Sequence, residues 1–408
     1  MDTKVFSGTE KGAGTMIKNG ALVAVPTETV YGLAGNGLNP EAVERIYEVK
    51  GRPVVKPLSL MVPGKEAMHL YCDPIPEEAV FLAEKFWPGP LTIVLKSRDI
   101  VPNIVRAGGE TVGLRCPDSV PTLAALQEAG IPFAAPSANP SGEPSPKTAE
   151  EVSRYFNGKI EGIIDGGECR LGRESTLIDL SATPFRILRE ASLSFGTLAD
   201  ALVERMTVIG ITGPSGCGKT SALDFFAQSY SEKEALTIDC DALYHTMLKE
   251  CTELNAAILN EFPEAFDVFF TDGKKHVNRQ RLGTIVFSDK SRLRKLNEIT
   301  HSFIVLQVKS MLREHAMNGG KIVLIDASEL LDSEIKGLCS KVIAVLAPED
   351  QRLKRIIERD HISKEDALAR IHAQHDDSYY EKGADIVIRN HGSFDEFRSD
   401  FLNILYSF

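Results

Sequence analysis

The run Gly213-Pro214-Ser215-Gly216-Cys217-Gly218-Lys219-Thr220 follows directly on the apolar stretch Thr207-Val208-Ile209-Gly210-Ile211-Thr212. A buried strand that feeds a glycine-rich turn and then a helical segment, Ser221-Ala222-Leu223-Asp224-Phe225-Phe226, leaves few architectures open. Glycines let successive backbone N–H groups turn inward around phosphate oxygens, and the helix N-terminus adds its positive end. In such a loop Gly213, Ser215, Gly216, Cys217, Gly218 and Ser221 surround the phosphates. Lys219 then reaches the β- and γ-phosphates, and the Thr220 hydroxyl is a ligand for Mg²⁺. The competing reading, a glycine-rich turn that matches by accident, leaves the flanking strand and helix unexplained.

A chain of 408 residues is long for one core and suggests two domains or three. The loop's place near the middle agrees with a division into residues 1–205 and 206–408. Basic and acidic residues number 21 and 26 before Met206, and 25 and 31 from it onward. Both halves are therefore net negative, which argues against nucleic-acid binding by bulk electrostatics. The seven cysteines are scattered and never form Cys-x-x-Cys, so they read as reduced thiols and not as a disulfide framework or zinc site. There is no apolar signal core and no run of about 18 apolar residues. The expectation is a cytoplasmic chain with no membrane partner.

Short apolar runs alternate with helical stretches through the first half. Ala21–Val25, Leu91–Leu95, Ile163–Asp165 and Thr176–Asp179 read as strands. Pro40–Val49, Glu77–Phe86, Val120–Ala129 and Thr148–Phe156 read as helices, the last opened by Ser145-Pro146, and a further helix is expected over Thr197–Arg205. This is a mixed α/β pattern. In the second half, strand-like runs at 207–212, 236–238, 322–325, 342–346 and 386–388 are separated by helices. Such an order implies a parallel sheet covered on both faces, with the ligand at the carboxyl ends of its strands.

The first half carries Pro26-Thr27-Glu28-Thr29-Val30-Tyr31-Gly32-Leu33, Lys50-Gly51-Arg52 with Lys56, Thr111-Val112-Gly113-Leu114-Arg115, Ser137-Ala138-Asn139 and Glu174-Ser175-Thr176. Lys50, Arg52 and Lys56 lie within seven residues of a net-negative half, and with Arg115 they would cradle a polyphosphate or carboxylate. A second reading stays open, in which Lys50 and Arg52 merely complement a helix C-terminus. The segments, in this order over roughly residues 10–195, resemble the YrdC-type threonylcarbamoyl-AMP synthases, whose signature the pairs Lys50/Arg52 and Ser137/Asn139 match. The resemblance implies that L-threonine, bicarbonate or CO₂, and ATP are joined into threonylcarbamoyl-AMP and pyrophosphate, for threonylcarbamoyladenosine in tRNA. It implies threonine contacts for Thr27, Arg115 and Ser175, ATP contacts for Arg52, Lys56, Thr111, Ser137 and Arg189, and completion of the signature by Lys50 and Asn139. Met61 stands where some relatives have a threonine-contacting histidine, and Arg189-Glu190-Ala191 replaces Arg-Pro-Gly.

In the second half, Asp239 and Asp241 follow a strand-like run and so lie beside the phosphates. Either could orient an acceptor hydroxyl and take its proton. Either could also cap the helix that begins near Ala242. With Arg281-Leu282-Gly283, Leu296-Asn297-Glu298-Ile299-Thr300-His301, Asp326-Ala327 and Gln351-Arg352-Leu353-Lys354-Arg355, the succession is similar to dephospho-CoA kinase over residues 206–400. That resemblance implies Asp241 as the base that activates the ribose 3′-hydroxyl of dephospho-CoA, with Asp239 beside it at the substrate. Arg355 and Arg359 fall at the place of the lid, as does Arg352, although an exposed helix face suits Arg352 equally. Departures lie on the acceptor side: Asp326-Ala327-Ser328-Glu329-Leu330-Leu331-Asp332 replaces Asp-x-Pro-Leu-Leu-Phe-Glu, and Ser302 follows His301 in place of proline. His372 and His375 read as histidines on a polar helix and not as metal ligands.

Two further readings compete with a bifunctional enzyme. The enzyme reading leaves tRNA or a tRNA-modification transfer protein as candidate partners. One competing reading is an RNA-binding module whose basic concavity grips tRNA backbone, fused to a regulatory P-loop NTPase. The other keeps a small-molecule kinase but changes its acceptor.

Overall fold

The computed structural model describes residues 2–8, 11–266 and 277–408. It divides into two compact units, Met1–Leu202 and Val203–Phe408. The first has ten strands: β1 Lys4–Ser7, β2 Val23–Val25, β3 Gly32–Asn36, β4 Ser59–Met61, β5 Leu91–Lys96, β6 Thr111–Arg115, β7 Phe133–Ala134, β8 Gly162–Asp165, β9 Thr176–Asp179 and β10 Arg186–Arg189. They form one mixed sheet in the order β1-β8-β2-β3-β7-β4-β6-β5-β9-β10. Parallel pairs such as β4 with β6 alternate with antiparallel ones such as β5 with β6.

The helix Pro40–Lys50 shows why these residues form this element. Asn39 caps it by accepting from the N–H groups of Glu41 and Ala42, Pro40 sits in the first turn, and Gly51 ends it in the left-handed region at φ 58°. Ala42, Val43, Ile46, Tyr47 and Lys50 face inward, the spacing of one apolar stripe. Two expectations are corrected. The helix Ala149–Phe156 is capped by the Thr148 hydroxyl, which accepts from Glu151 N–H, while Ser145 is used elsewhere. The expected helix Thr197–Arg205 runs instead over Phe195–Val203. Strands β3 and β6 escaped the pattern reading because glycines interrupt them. At β6 a Cβ on Gly113 would stand 2.8 Å from Ser59 Oγ and 3.0 Å from Thr92 Cγ2, so the bare backbone lets two neighbouring strands crowd over it.

The second unit has strands β11 Thr207–Thr212, β12 Ala235–Asp239, β13 Ile322–Asp326, β14 Lys341–Leu346 and β15 Ile386–Arg389. The sheet is wholly parallel, in the order β12-β13-β11-β14-β15. Its strands are near-continuous apolar runs because both faces are covered. Ile343 and Val345 pack with Phe225, Phe226, Phe397 and Phe401, whereas Ala344 and Leu346 on the other face pack with Tyr380. A separate apolar cluster joins Leu248, Leu254, Ile258, Phe262, Leu282 and Leu296 from the helices beyond β12. The register pairs Asp326 with both Ile211 and Asp239, which brings the carboxyl ends of β11, β12 and β13 level. Sheet order reverses around β11, the place where open α/β sheets take their ligands. Among the described residues no helix is long and apolar enough to cross a membrane.

Candidate active sites

In the first unit a cavity of about 190 Å³ opens between the ends of β3, β6, β9 and β10. Arg52, Arg115 and Arg189 line it together with Ser137, Glu174 and Ser175. Arg115, at the end of β6, is buried; its Nη2 donates to Glu28 Oε1 at 2.7 Å and to Thr29 Oγ1 at 2.8 Å. Glu28 is buried too, and its second oxygen accepts from Asp118 N–H at 3.0 Å. Arg189 donates through Nε and Nη2 to the Ser175 carbonyl at 3.0 and 2.8 Å, and Ser175 Oγ lies 2.8 Å from Thr92 Oγ1. Arg52 Nη2 donates to Pro57 O at 3.1 Å. Burial, with Arg115 and Arg52 nearby, depresses the Arg189 pKa although Glu174 works the other way. Three guanidiniums face one small space with a carboxylate bound to only one of them, an arrangement that attracts anions.

Other expected residues stand outside that lining. Lys50 is 3% exposed, and its ammonium donates to the carbonyls of Ser137 and Asn139. Burial, and secondarily Arg52, lowers its pKa to about 7. It corrects the picture of a fourth cation facing the ligand: Lys50 ties down the loop that presents Ser137. Asn139 donates to Pro140 O and Glu143 O and shapes the same loop. The Thr27 hydroxyl is spent on Val30 O at 2.6 Å, which holds the turn before β3. Lys56 is exposed, and its carbonyl accepts from Tyr47 Oη at 2.9 Å. Thr111 starts β6 opposite Lys96. Glu28 was missed as a site residue; an acid in a buried Thr-Glu-Thr turn was the available signal.

In the second unit a cavity of about 520 Å³ is lined by the glycine-rich loop, Lys219, Thr220, Ser221, Asp239, Asp241 and Asp326, with Arg355, Arg359 and Arg370 opposite. Gly213, Gly216 and Gly218 have φ of 142°, 79° and 115°. A Cβ on Gly213 would stand 2.1 Å from Val345 O. The turn is therefore open to glycine alone. Lys219 Nζ donates to Gly213 O at 2.8 Å. Asp239 Oδ1 accepts from the N–H groups of Asp241 and Ala242, each at 2.9 Å, so this carboxylate caps the helix Cys240–Glu250. Asp239 thus serves as the cap the sequence also allowed while it lines the cavity beside Asp241. Asp241 is exposed, with Ser328 Oγ donating to its Oδ1 at 3.4 Å.

Asp241 and Ser328 also line a second cavity, of about 460 Å³, whose walls include Tyr244, Leu248, Leu296 and Val305, with His301 at its polar side. One carboxylate thus stands where the glycine-loop cavity meets a largely apolar one. Asp326, part of the Asp326–Asp332 motif but given no role from the sequence, ends β13. Burial raises its carboxyl to about 6 against the pull of Lys219, and its Oδ1 is buried with no hydrogen-bond partner. Together with the Thr220 hydroxyl in the same cavity it offers hard oxygen donors of the kind Mg²⁺ takes. Among the described residues no group of three or more His, Cys, Asp or Glu is arranged to hold a metal ion; His375 stacks on Tyr379 at 3.8 Å.

The arginines past β14 divide. Arg352 is 7% exposed and donates from Nε to Ser215 O at 3.0 Å, which replaces both the lid and the exposed-face readings. Arg355 donates to Gly216 O at 3.1 Å from the cavity wall. Arg359 pairs with Asp360 at 2.7 Å, and Arg370 binds the same carboxylate, which is held at about 2 by the Arg359 hydrogen bond and by both cations.

Comparison with known proteins bears on both sites. Residues 15–191 match a family model described as Telomere recombination, and residues 207–396 match one described as Dephospho-CoA kinase. The chain is 49% identical over 181 residues to a threonylcarbamoyl-AMP synthase of Pyrococcus abyssi, covering 44% of this chain and 53% of that one. It is 36% identical over 183 residues to a putative threonylcarbamoyl-AMP synthase of Methanocaldococcus jannaschii, covering 45% and 86%. It is 32% identical over 200 residues to a dephospho-CoA kinase of Lactobacillus johnsonii, covering 48% and 96%. The chain spans about half the length of the Pyrococcus relative.

Proposed function

The chain belongs through residues 15–191 to the threonylcarbamoyl-AMP synthase family and through residues 207–396 to the dephospho-CoA kinase family, and from that premise we propose that it is a bifunctional ATP-dependent enzyme. The first unit joins L-threonine, bicarbonate as CO₂, and ATP into threonylcarbamoyl-AMP and pyrophosphate. A carbamate oxygen on the threonine nitrogen attacks the α-phosphorus, and pyrophosphate leaves. Arg52 and Arg189 stabilise charge on the phosphates, while Arg115, fixed by Glu28, takes the threonine carboxylate. No covalent nucleophile is required. The product suits transfer to an adenosine of tRNA, so tRNA or a transfer protein is the proposed partner and the cytoplasm the proposed compartment. The convergence of three guanidiniums on one cavity carries this reading.

The second unit moves the γ-phosphate of ATP to the 3′-hydroxyl of dephospho-CoA. Lys219 and the loop N–H groups grip the phosphates, and Asp241 takes the hydroxyl proton. Thr220 and Asp326 would hold Mg²⁺, which when bound offsets negative charge on the triphosphate. Asp239 acts indirectly, by fixing the turn that presents Asp241. The observation that carries this half is the shared position of Asp241 between the two cavities.

A product assay on the purified chain with ATP and Mg²⁺ tests both. Threonine plus bicarbonate yields pyrophosphate, lost in Arg52→Ala; dephospho-CoA yields ADP, lost in Lys219→Ala and Asp241→Asn. Each reaction is blind to the other unit's substitutions. ADP formed with uridine and not with dephospho-CoA would assign the second unit another acceptor.

A further inference from the structure

Ser215 stands on the outer turn of the phosphate loop, and each of its polar groups is held by a side chain from far along the chain. Its N–H donates to Gln374 Oε1 at 2.9 Å, its hydroxyl accepts from Gln374 Nε2 at 3.0 Å, and its carbonyl accepts from Arg352 Nε at 3.0 Å. Arg352 Nη2 then donates to Gln374 Oε1 at 3.2 Å and closes the set. The next carbonyls are held as well, Gly216 O by Arg355 at 3.1 Å and Cys217 O by Asn390 at 2.8 Å. Gln374 also lines the phosphate cavity.

This arrangement answers a problem the loop's own composition creates. Gly213, Gly216 and Gly218 are free to rotate, and a peptide plane turned the wrong way would aim a carbonyl oxygen at the phosphates. A loop that must be ordered on binding loses affinity for that reason. Arg352, Arg355 and Asn390 hold the carbonyls of Ser215, Gly216 and Cys217 while Gln374 takes the Ser215 N–H, so that each peptide plane of the turn is held in one orientation. The backbone of Arg352 is packed close enough that a Cβ on Gly216 would stand 2.8 Å from its carbonyl oxygen, which places the helix Glu349–Asp360 directly against the turn.

We propose that Gln374 and Arg352 act as one unit of positioning residues that preorganise the phosphate loop and fasten it to the helix pair Glu349–Asp360 and Lys364–His372. That pair is joined through Ile356, Ala367 and Ile371 and brings Arg355, Arg359 and Arg370 to the same cavity. Loop and arginines are thereby held in one register, so that a triphosphate seated by the first is within reach of the second.

The inference rests on the reading of this unit as an ATP-dependent kinase, and the test separates the two. Binding of ATP with Mg²⁺ is measured by calorimetry on the full chain carrying Arg52→Ala, which silences the first unit's ATP site, with KM for ATP in the kinase reaction and for dephospho-CoA determined separately. Gln374→Met keeps the side chain's length and removes its hydrogen bonds; it is expected to weaken ATP binding and raise the ATP KM about tenfold, leaving the dephospho-CoA KM within about twofold. Gln374→Asn, which withdraws the amide by one methylene, moves both in the same direction and serves should the first variant not fold. Adding Arg352→Lys to Gln374→Met costs little more than the worse single change, because the two act together. A lowered melting temperature with unaltered ATP affinity would reduce Gln374 to a structural role and overturn the proposal, as would fully additive losses. A chain with Gln374 and Arg352 intact that binds no ATP once the first unit's site is silenced overturns the kinase reading itself.

Discussion

Lys50 and Glu28 are both buried ionisable residues, and each acts by holding something else. Lys50 has its pKa lowered by burial from the ordinary lysine value to about 7. The unfolded chain therefore binds a proton that the folded chain releases between about pH 7 and the unfolded lysine value near 10.4. The corresponding stability is fully present above that upper value and is lost as pH falls through 7. Thermal melts of wild type and Lys50→Met across this window should show the difference moving in favour of wild type as pH rises. A pH-independent difference would refute the assignment. Glu28 pairs with Arg115 at 2.7 Å, and both side chains are buried. Removing one partner of a buried pair typically costs about 3–5 kcal/mol, and Glu28→Gln, which keeps an acceptor, should cost roughly 1–3 kcal/mol in denaturant melts. The same variant should lower kcat/KM for threonine about tenfold, since the guanidinium loses the group that aims it.

The strand, turn and helix around residues 207–229 are consistent at every level. The apolar run makes β11, the glycines make the turn, and Phe225 and Phe226 seat the helix on the sheet. Periodicity and turn chemistry made this element legible, as they did the helix Glu77–Phe86 and strands β5 and β14. Strands β3 and β6 were not legible as strands, because glycine inside a short run reads as a turn until the neighbours that need the bare backbone are known. The element also sets a prediction. Gly213→Ala combines a left-handed φ of 142° with a contact of 2.1 Å to the Val345 carbonyl. Relief requires β14 or the turn itself to shift, so the variant should lose more than about 2 kcal/mol of stability in the second unit and that unit's measurable ATP binding. Retention of wild-type ATP affinity would show that the turn has a second workable conformation.

Each unit of the molecule has its own sheet and its own apolar core. A unit of this size with a complete core is expected to fold alone. Residues 206–408 expressed by themselves should therefore form ADP from ATP and dephospho-CoA within about threefold of the full chain's kcat/KM. A far larger loss would make the first unit part of the kinase.

What the residues dictate without any tertiary knowledge is local. The glycine–lysine turn with its flanking strand and helix, the alternation that yields an α/β chain, and the parallel sheet of the second unit all follow from spacing and apolar runs. Which charged groups face a ligand was decided only when strands distant in sequence came side by side. Lys50 turned to two carbonyls while Arg189 reached the cavity, Asp239 became a cap, and Asp326 and Gln374 were carried to the phosphate loop by register and helix packing. The physical reason is that burial, hydrogen-bond partners and neighbouring charge belong to a residue's surroundings, and those surroundings come from parts of the chain that spacing along the sequence does not connect.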